Sequence, residues 1–457
     1  MVCVAWVLGG CAAPFGNTPQ NPPITPEFVA RSAMLRDAAG ENVIAMSLSG
    51  GGMRAAAFAF GALQALAAPG EDNTGIDVFD DLTFISSVSG GSLTAAYFGL
   101  HGRDAFQTFR RKVLERDLER DMRVSLLSPA NLLRLFSGGL NDRSNLAQTL
   151  HRDVFGEATF ADLQRRRKPE IWINASDLYN RTPFAFIAPV FAALCSDLSK
   201  VHVAEAVAAS MAVPLVFAPI VLQTHPEQCL TPLPAWAQQD APGLAGQGLV
   251  RATAQALRNY RDPRRMRFVK LVDGGVTDNN GLSSVLIANA VSGTPYGPLE
   301  EAEAVRLRRM LFLVVDAGRP PAGDWAQQME GPSAVDVALA AADTAVDSAT
   351  RLGADAFARM VEQWRTRIVA YRCALNEAQL QRLLPQRAAW RCDDLQFFVG
   401  VIGFDALAPD QAERMKNMPT RLVLPKADID AAIAAGQEAT RASEALRQYL
   451  GRRSPVP

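Results

Sequence analysis

One pattern constrains this chain more than any other. A short apolar run ends in a glycine-rich turn and passes straight into an Ala-rich stretch, and this happens twice within the first hundred residues. NVIAMSLS (42–49) reads as a buried strand, breaks at Gly50-Gly51-Gly52, and continues as MRAAAFAFGALQALAA (53–68), whose wide apolar face is helical. LTFISSVS (82–89) repeats the arrangement, ending at Gly90-Gly91 and running into SLTAAYFGL (92–100). Strand, tight turn and helix in that order start an α/β fold.

The rest of the chain continues in the same way. EIWINASDL (170–178), MRFVKLVD (266–273), RMLFLVVDAG (309–318) and FFVGVIGF (397–404) read as further strands. Helices are expected over 104–136 with a break at Pro129, over 204–217 up to Pro214, and near 281–291, 332–365 and 426–450. The apolar run 184–195 reads as core, and 222–250 as loop. The expected fold is α/β in three layers, with a mainly parallel central sheet covered by helices on both faces. No boundary divides it, so residues 41–457 read as one domain with a C-terminal helical extension.

Ligands in such a sheet meet the chain beyond the carboxyl ends of the strands. Three polar turns are expected there: Ser49–Gly52, Ser87–Gly91 and Asp273–Gly275. A nucleophile elbow needs small residues two before and two after its nucleophile. Ser87-Val88-Ser89-Gly90-Gly91 meets that spacing, and so does Ser47-Leu48-Ser49-Gly50-Gly51, so spacing alone does not choose between Ser89 and Ser49. The residues C-terminal to each serine separate them. Ser49 leads into three successive glycines, whose unobstructed amides suit an oxyanion hole. Ser89 is therefore the candidate nucleophile, at a helix N-terminus that favours an ionised oxygen. Ser49 reads as a helix N-cap, and Gly50, Gly51 and Gly52 as the oxyanion loop. Arg54 is a candidate for the substrate site, where it would strengthen the field or bind a lipid phosphate. Asp273, at a strand end before two glycines, is the candidate base, with a pKa raised by desolvation. The bland reading of Asp273 is a helix cap, or a cation ligand beside Asp278.

Several classes are disfavoured. Lys plus Arg number 46 against 47 Asp plus Glu, so no basic excess suggests a nucleic-acid partner. Neither G-K-[ST] nor G-x-G-x-x-G is present, which argues against a nucleotide cradle. Of the four histidines, His101, His151, His202 and His225, none stands in an H-E-x-x-H pattern or near a C-x-x-C, so no metal or cofactor is expected. His202 and His225 read as solvated.

The N-terminus carries its own signal. VCVAWVL (2–8) is apolar but too short to span a bilayer, and Leu8-Gly9-Gly10-Cys11 looks like a bacterial lipobox, although no Lys or Arg precedes it. Residues 1–11 are therefore read as a lipoprotein signal with a lipid anchor on Cys11, and the Pro-rich residues 12–40 as a tether. That reading implies export to a bacterial cell envelope, facing the periplasm. Beyond Cys3 and Cys11 the chain has Cys195, Cys229, Cys373 and Cys392. Four cysteines allow three pairings, and short loop closure favours Cys195–Cys229 with Cys373–Cys392 over four free thiols.

SGGGMR (49–54), SVSGG (87–91) and DGG (273–275), in this order, resemble the patatin-like phospholipases, with their G-G-G-x-[RK] loop, G-x-S-x-G elbow and D-G-[AG] motif. AASMAVPLVFAPI (208–220) also resembles the segment ahead of that Asp motif. The one departure is Ser87 where the elbow pattern has its first Gly. The resemblance covers roughly residues 42 to 320. It implies a Ser89–Asp273 dyad without histidine, an acyl-enzyme, and a lipid substrate at a membrane, a phospholipid or lysophospholipid first. A neutral-lipid or general carboxylesterase, or an envelope lipoprotein without activity, are the alternatives.

Overall fold

The structure is a computed structural model. It describes residues 17–32, 40–67, 78–122, 131, 134, 139–238, 247–318, 324–329, 331–384 and 390–451. The expected signal and anchor at residues 1–11, with Cys11, lie outside these.

The strands are β1 (Asn42–Leu48), β2 (Leu82–Val88), β3 (Glu170–Asp177), β4 (Thr182–Ala185), β5 (Ile220–Gln223), β6 (Phe268–Asp273), β7 (Arg309–Val315) and β8 (Gln396–Ile402). They form one sheet in the order β5-β6-β3-β2-β1-β7-β8, with β4 paired to β3. The pairs from β3 through β2, β1 and β7 to β8 are parallel. The pairs of β3 with β4, β3 with β6, and β5 with β6 are antiparallel. The sheet is thus mainly parallel, as expected. β6, which carries Asp273, runs antiparallel to its neighbours β3 and β5.

Helices cover both faces. On β1, Ile44, Met46 and Leu48 point into the larger core cluster, which includes α1 (Pro26–Ser32), α2 (Gly52–Ala67), α3 (Gly90–His101) and α4 (Val203–Ser210). Val43 and Ala45 point the other way, to smaller clusters beneath α5 (Ala334–Cys373). Near-continuous apolar runs such as Leu311–Val315 follow from this, because a strand covered on both faces has no solvent side. α5 runs 40 residues, yet among the described residues no helix is long and apolar enough to cross a membrane.

At the C-terminal end, β8 joins the sheet at the strand read over 397–404, and α6 (Lys426–Arg441) packs on α2. Their contact is so close that a Cβ at Gly61 would stand 2.0 Å from the Ile433 carbonyl. Residues 17–32, expected within the tether, dock on the domain. Asn17 donates to the carbonyls of Ala218 and Pro219, Asn21 to Ser196 Oγ and the Gln223 carbonyl, and Ile24 and Phe28 are buried. Polar composition hid two apolar anchors and two amide side chains that satisfy buried carbonyls. The disulfides Cys195–Cys229 and Cys373–Cys392 are both present, the pairing that proximity favoured.

Candidate active site

β2 delivers Ser89 into a sharp turn. Its backbone has φ 50° and ψ −122°, a conformation that L-residues rarely adopt and that persists only when the surroundings impose it. Here they do. The Ser89 amide donates to Ser210 Oγ at 2.8 Å, and its carbonyl accepts from the Ser92 amide at 2.9 Å. Ser210 Oγ in turn donates to the Asn174 carbonyl at 2.6 Å and lies 3.0 Å from Ser92 Oγ. The small position two after Ser89 is obligatory, since a Cβ at Gly91 would stand 2.5 Å from the Leu48 carbonyl oxygen, and so is Gly90, whose Cβ would stand 2.0 Å from the Gly52 carbonyl oxygen. At the other small position Ser87 is fully buried, donates to the Trp172 carbonyl at 3.0 Å and accepts from Ser92 Oγ at 3.1 Å. The departure from glycine is therefore filled by a satisfied hydroxyl.

Asp273 reaches this turn from the opposite direction. β6 pairs with only the last residues of β3, Ala175 opposite Asp273, while Asn174 lies opposite Val88 on the other strand register. The antiparallel strand thus stops level with the end of β2. Its main chain is held there by the Asp273 amide on the Ala212 carbonyl at 2.9 Å and the Gly274 amide on the Ser210 carbonyl at 3.2 Å. Ser89 Oγ donates to Asp273 Oδ2 at 2.7 Å, and the Gly275 amide donates to Oδ1 at 2.8 Å. Burial pushes the Asp273 carboxyl up to about 6, against the opposing pull of those two donors. Among the described residues no histidine bonds either group.

Of the three expected oxyanion donors, two are free to act. The Gly50 amide is taken by the Asn279 carbonyl at 3.1 Å, which corrects its expected role. Gly51 and Gly52 have φ of +137° and +62°, and among the described residues their amides donate to no protein group. The loop lies against Ser89, since a Cβ at Gly50 would stand 3.2 Å from Ser89 Cβ.

Arg54 is also corrected. Its side chain is fully buried, donates to the carbonyls of Met418 and Ala317, and lies 5.9 Å from the Phe404 ring centroid. It braces the glycine loop from behind and offers no surface to a lipid phosphate. Ser49 accepts the Ala317 amide at 2.8 Å and donates to the Gly50 carbonyl, so it ties β1 to the end of β7 and caps no helix. Asp278 accepts the amides of Asn280 and Ser283, a turn-capping role. Ser210 was not singled out from the sequence. Its only signal was that it lies within AASMAVPLVFAPI (208–220).

No curated protein matches the chain. Among solved structures, a human GIVD cytosolic phospholipase A2 aligns at 13% identity with a TM-score of 0.40, over 93% of this chain. This chain spans 63% of that one. The family model described as Patatin-like phospholipase matches residues 46–286, more than half of the 457 residues and all of the elbow, glycine loop and Asp273 turn. By that match the chain belongs to the patatin-like phospholipase family.

Proposed function

We propose that the chain is a serine acyl hydrolase that cleaves carboxylic ester bonds of membrane lipids, of the phospholipase A or lysophospholipase type, through an acyl-enzyme. The observation that carries this is the 2.7 Å hydrogen bond from Ser89 Oγ to the buried Asp273 carboxylate. In this reading Ser89 Oγ attacks the ester carbonyl while its proton passes to Asp273 Oδ2. The Gly51 and Gly52 amides receive the charge that develops on the carbonyl oxygen. As the intermediate collapses, the carbon–oxygen bond to the leaving alcohol breaks and Asp273 returns the proton to that alcohol. Asp273 then takes a proton from water, the hydroxide attacks the acyl-enzyme, and the fatty acid leaves as Ser89 recovers its proton. A lipid substrate is supported by the family and by exposed apolar side chains in the segments that hold the site: Val213, Leu215 and Val276, within a few residues of Ala212 and Asp273, are 43%, 60% and 39% exposed.

A fluorophosphonate probe is expected to label the wild-type chain at Ser89 and to leave Ser89→Ala unlabelled. Labelling that survives Ser89→Ala but is lost in Ser49→Ala overturns the assignment. Release of fatty acid from phospholipid vesicles, compared with a triacylglycerol emulsion, separates the phospholipase from the neutral-lipid reading. We also propose that Cys11 carries a lipid that holds the enzyme at a bacterial envelope membrane, facing the periplasm. Metabolic labelling with a fatty-acid analogue that leaves Cys11 unmodified removes that part alone.

A further inference from the structure

Two of the histidines that matched no metal-binding spacing come together in space. His151 opens a single turn of π-helix, His151–Phe155, and His202 stands directly before α4. Their rings meet edge to face with centroids 5.1 Å apart. Glu157 completes the group, with Oε1 2.8 Å from His151 Nε2. One ligand atom from each of the three lies within 4.8 Å of the others. Backbone contacts fix this arrangement independently of the side chains. Thr159 forms a bridge with His202, and the Val203 amide donates to the Ala158 carbonyl at 2.9 Å. Among the described residues the buried His202 Nδ1 has no hydrogen-bond partner, a position costly for a polar atom and relieved by a ligand.

We propose that His151, Glu157 and His202 form a binding site for a divalent transition-metal ion of the zinc type. Two imidazoles and one carboxylate are a donor set that such ions take, while Mg²⁺ and Ca²⁺ prefer oxygen alone. Zinc holds these ligands at about 2.0–2.2 Å, so the ligand atoms of a closed tetrahedral site are roughly 3.5 Å apart. The His151–Glu157 edge is already shorter than that, and the Glu157 side chain is 85% exposed. A three-residue set leaves a fourth position for water. Glu205, on the first turn of α4, donates its amide to the His202 carbonyl at 3.1 Å and is ion-paired through its carboxylate with Arg143.

The site sits at a consequential place. It ties the turn at 151–157 to the start of α4, whose last residue, Ser210, receives the Ser89 amide. A metal bound here holds from one end the helix that shapes the nucleophile turn at the other. Metal binding rests on the fold alone and stands or falls separately from the hydrolase reading.

The test uses the full chain with its free thiols alkylated, stripped with EDTA and dialysed against ZnCl2, with bound zinc counted by mass spectrometry. The expected result is one zinc per chain in the wild type and in His225→Ala. The double variant His151→Ala/His202→Ala should lose it, Glu157→Gln should bind roughly tenfold or more weakly, and zinc should raise the melting temperature of the wild type but not of the double variant. Failure of the wild type to bind zinc overturns the proposal, as does wild-type affinity in the double variant. If circular dichroism shows the double variant unfolded, Glu157→Gln decides, because its side chain is solvated and its loss leaves the fold intact. Unchanged affinity there overturns the proposal.

Discussion

At the scale of single residues, the site is a set of hydroxyls and carbonyls that impose one strained backbone. Ser87, Ser92 and Ser210 are buried and bonded to one another or to strand carbonyls, so the Ser89 turn is held by satisfied polar groups. Asp273 is the group whose environment carries a functional consequence. In the proposed reaction it acts as a base only when ionised, so hydrolysis is expected to rise with pH through about 6, measured as kcat/KM across pH 4.5 to 8. The same shift has a stability sign. Folded Asp273 keeps its proton up to about 6, against 3.8 for an unperturbed carboxyl. Across that window the folded state binds more protons than the unfolded state, so its contribution to stability falls as pH rises. Asp273→Asn is therefore expected to abolish hydrolysis, by roughly 1000-fold or more. It should also raise stability above the wild type at pH 8 by on the order of 1–3 kcal/mol, a gain that shrinks toward pH 4. A variant that is no more stable at pH 8 than at pH 4, relative to wild type, contradicts the desolvation of Asp273. Arg54 was read from sequence as a substrate contact because basic residues near a glycine loop suit phosphate. Burial decides otherwise. Arg54→Ala leaves the Met418 and Ala317 carbonyls without their donor and is expected to cost about 2–4 kcal/mol in urea unfolding. A stable Arg54→Ala protein with a raised KM for anionic phospholipid alone restores the phosphate-binding role.

At the scale of elements, two turns of near-identical sequence take different jobs. SLSGG and SVSGG both end parallel strands, and β1 and β2 are adjacent in the sheet. The Ser49 hydroxyl is taken by the Ala317 amide at the end of β7, whereas the Ser89 hydroxyl faces Asp273 at the end of β6. Each serine's role is thus set by the strand end it meets. The two turns also touch, through Gly90 against the Gly52 carbonyl. Gly90→Ala is expected to push the glycine loop away from Ser89 and lower kcat by roughly 100-fold or more, with a smaller change in the melting temperature. Near-wild-type turnover in that variant means the Gly51 and Gly52 amides do not serve the reaction. The direction of β6 belongs to this scale too. Its sequence, MRFVKLVD, is that of a strand but carries no mark of parallel or antiparallel pairing. Its short register against β3 is fixed by the crossing segment of α4 and Ala212, whose carbonyls receive the amides of Asp273 and Gly274.

At the scale of the whole molecule, the layers arise from composition along the strands. Apolar residues on successive positions of β1 and β7 need cover on both faces, and the helices between strands supply it. That much is local information, and so are the two glycine turns, the Asp273 turn and the cysteine spacing that favoured the observed disulfides. The sequence by itself therefore determined the α/β class, the strand ends that matter, and Ser89 and Asp273 as the pair to bring together. Tertiary structure alone decided the rest. It set Asp273 level with Ser89 from an antiparallel strand, consumed the Gly50 amide on Asn279, buried Arg54 behind the loop, and brought His202 to the turn that carries His151 and Glu157. It also docked residues 17–32 onto the domain by Asn17, Asn21 and Phe28. The physical reason is common to all of these. Residue type and spacing specify what a segment prefers, but whether an amide is spent, a cation buried or a carboxylate desolvated depends on which distant segment packs against it.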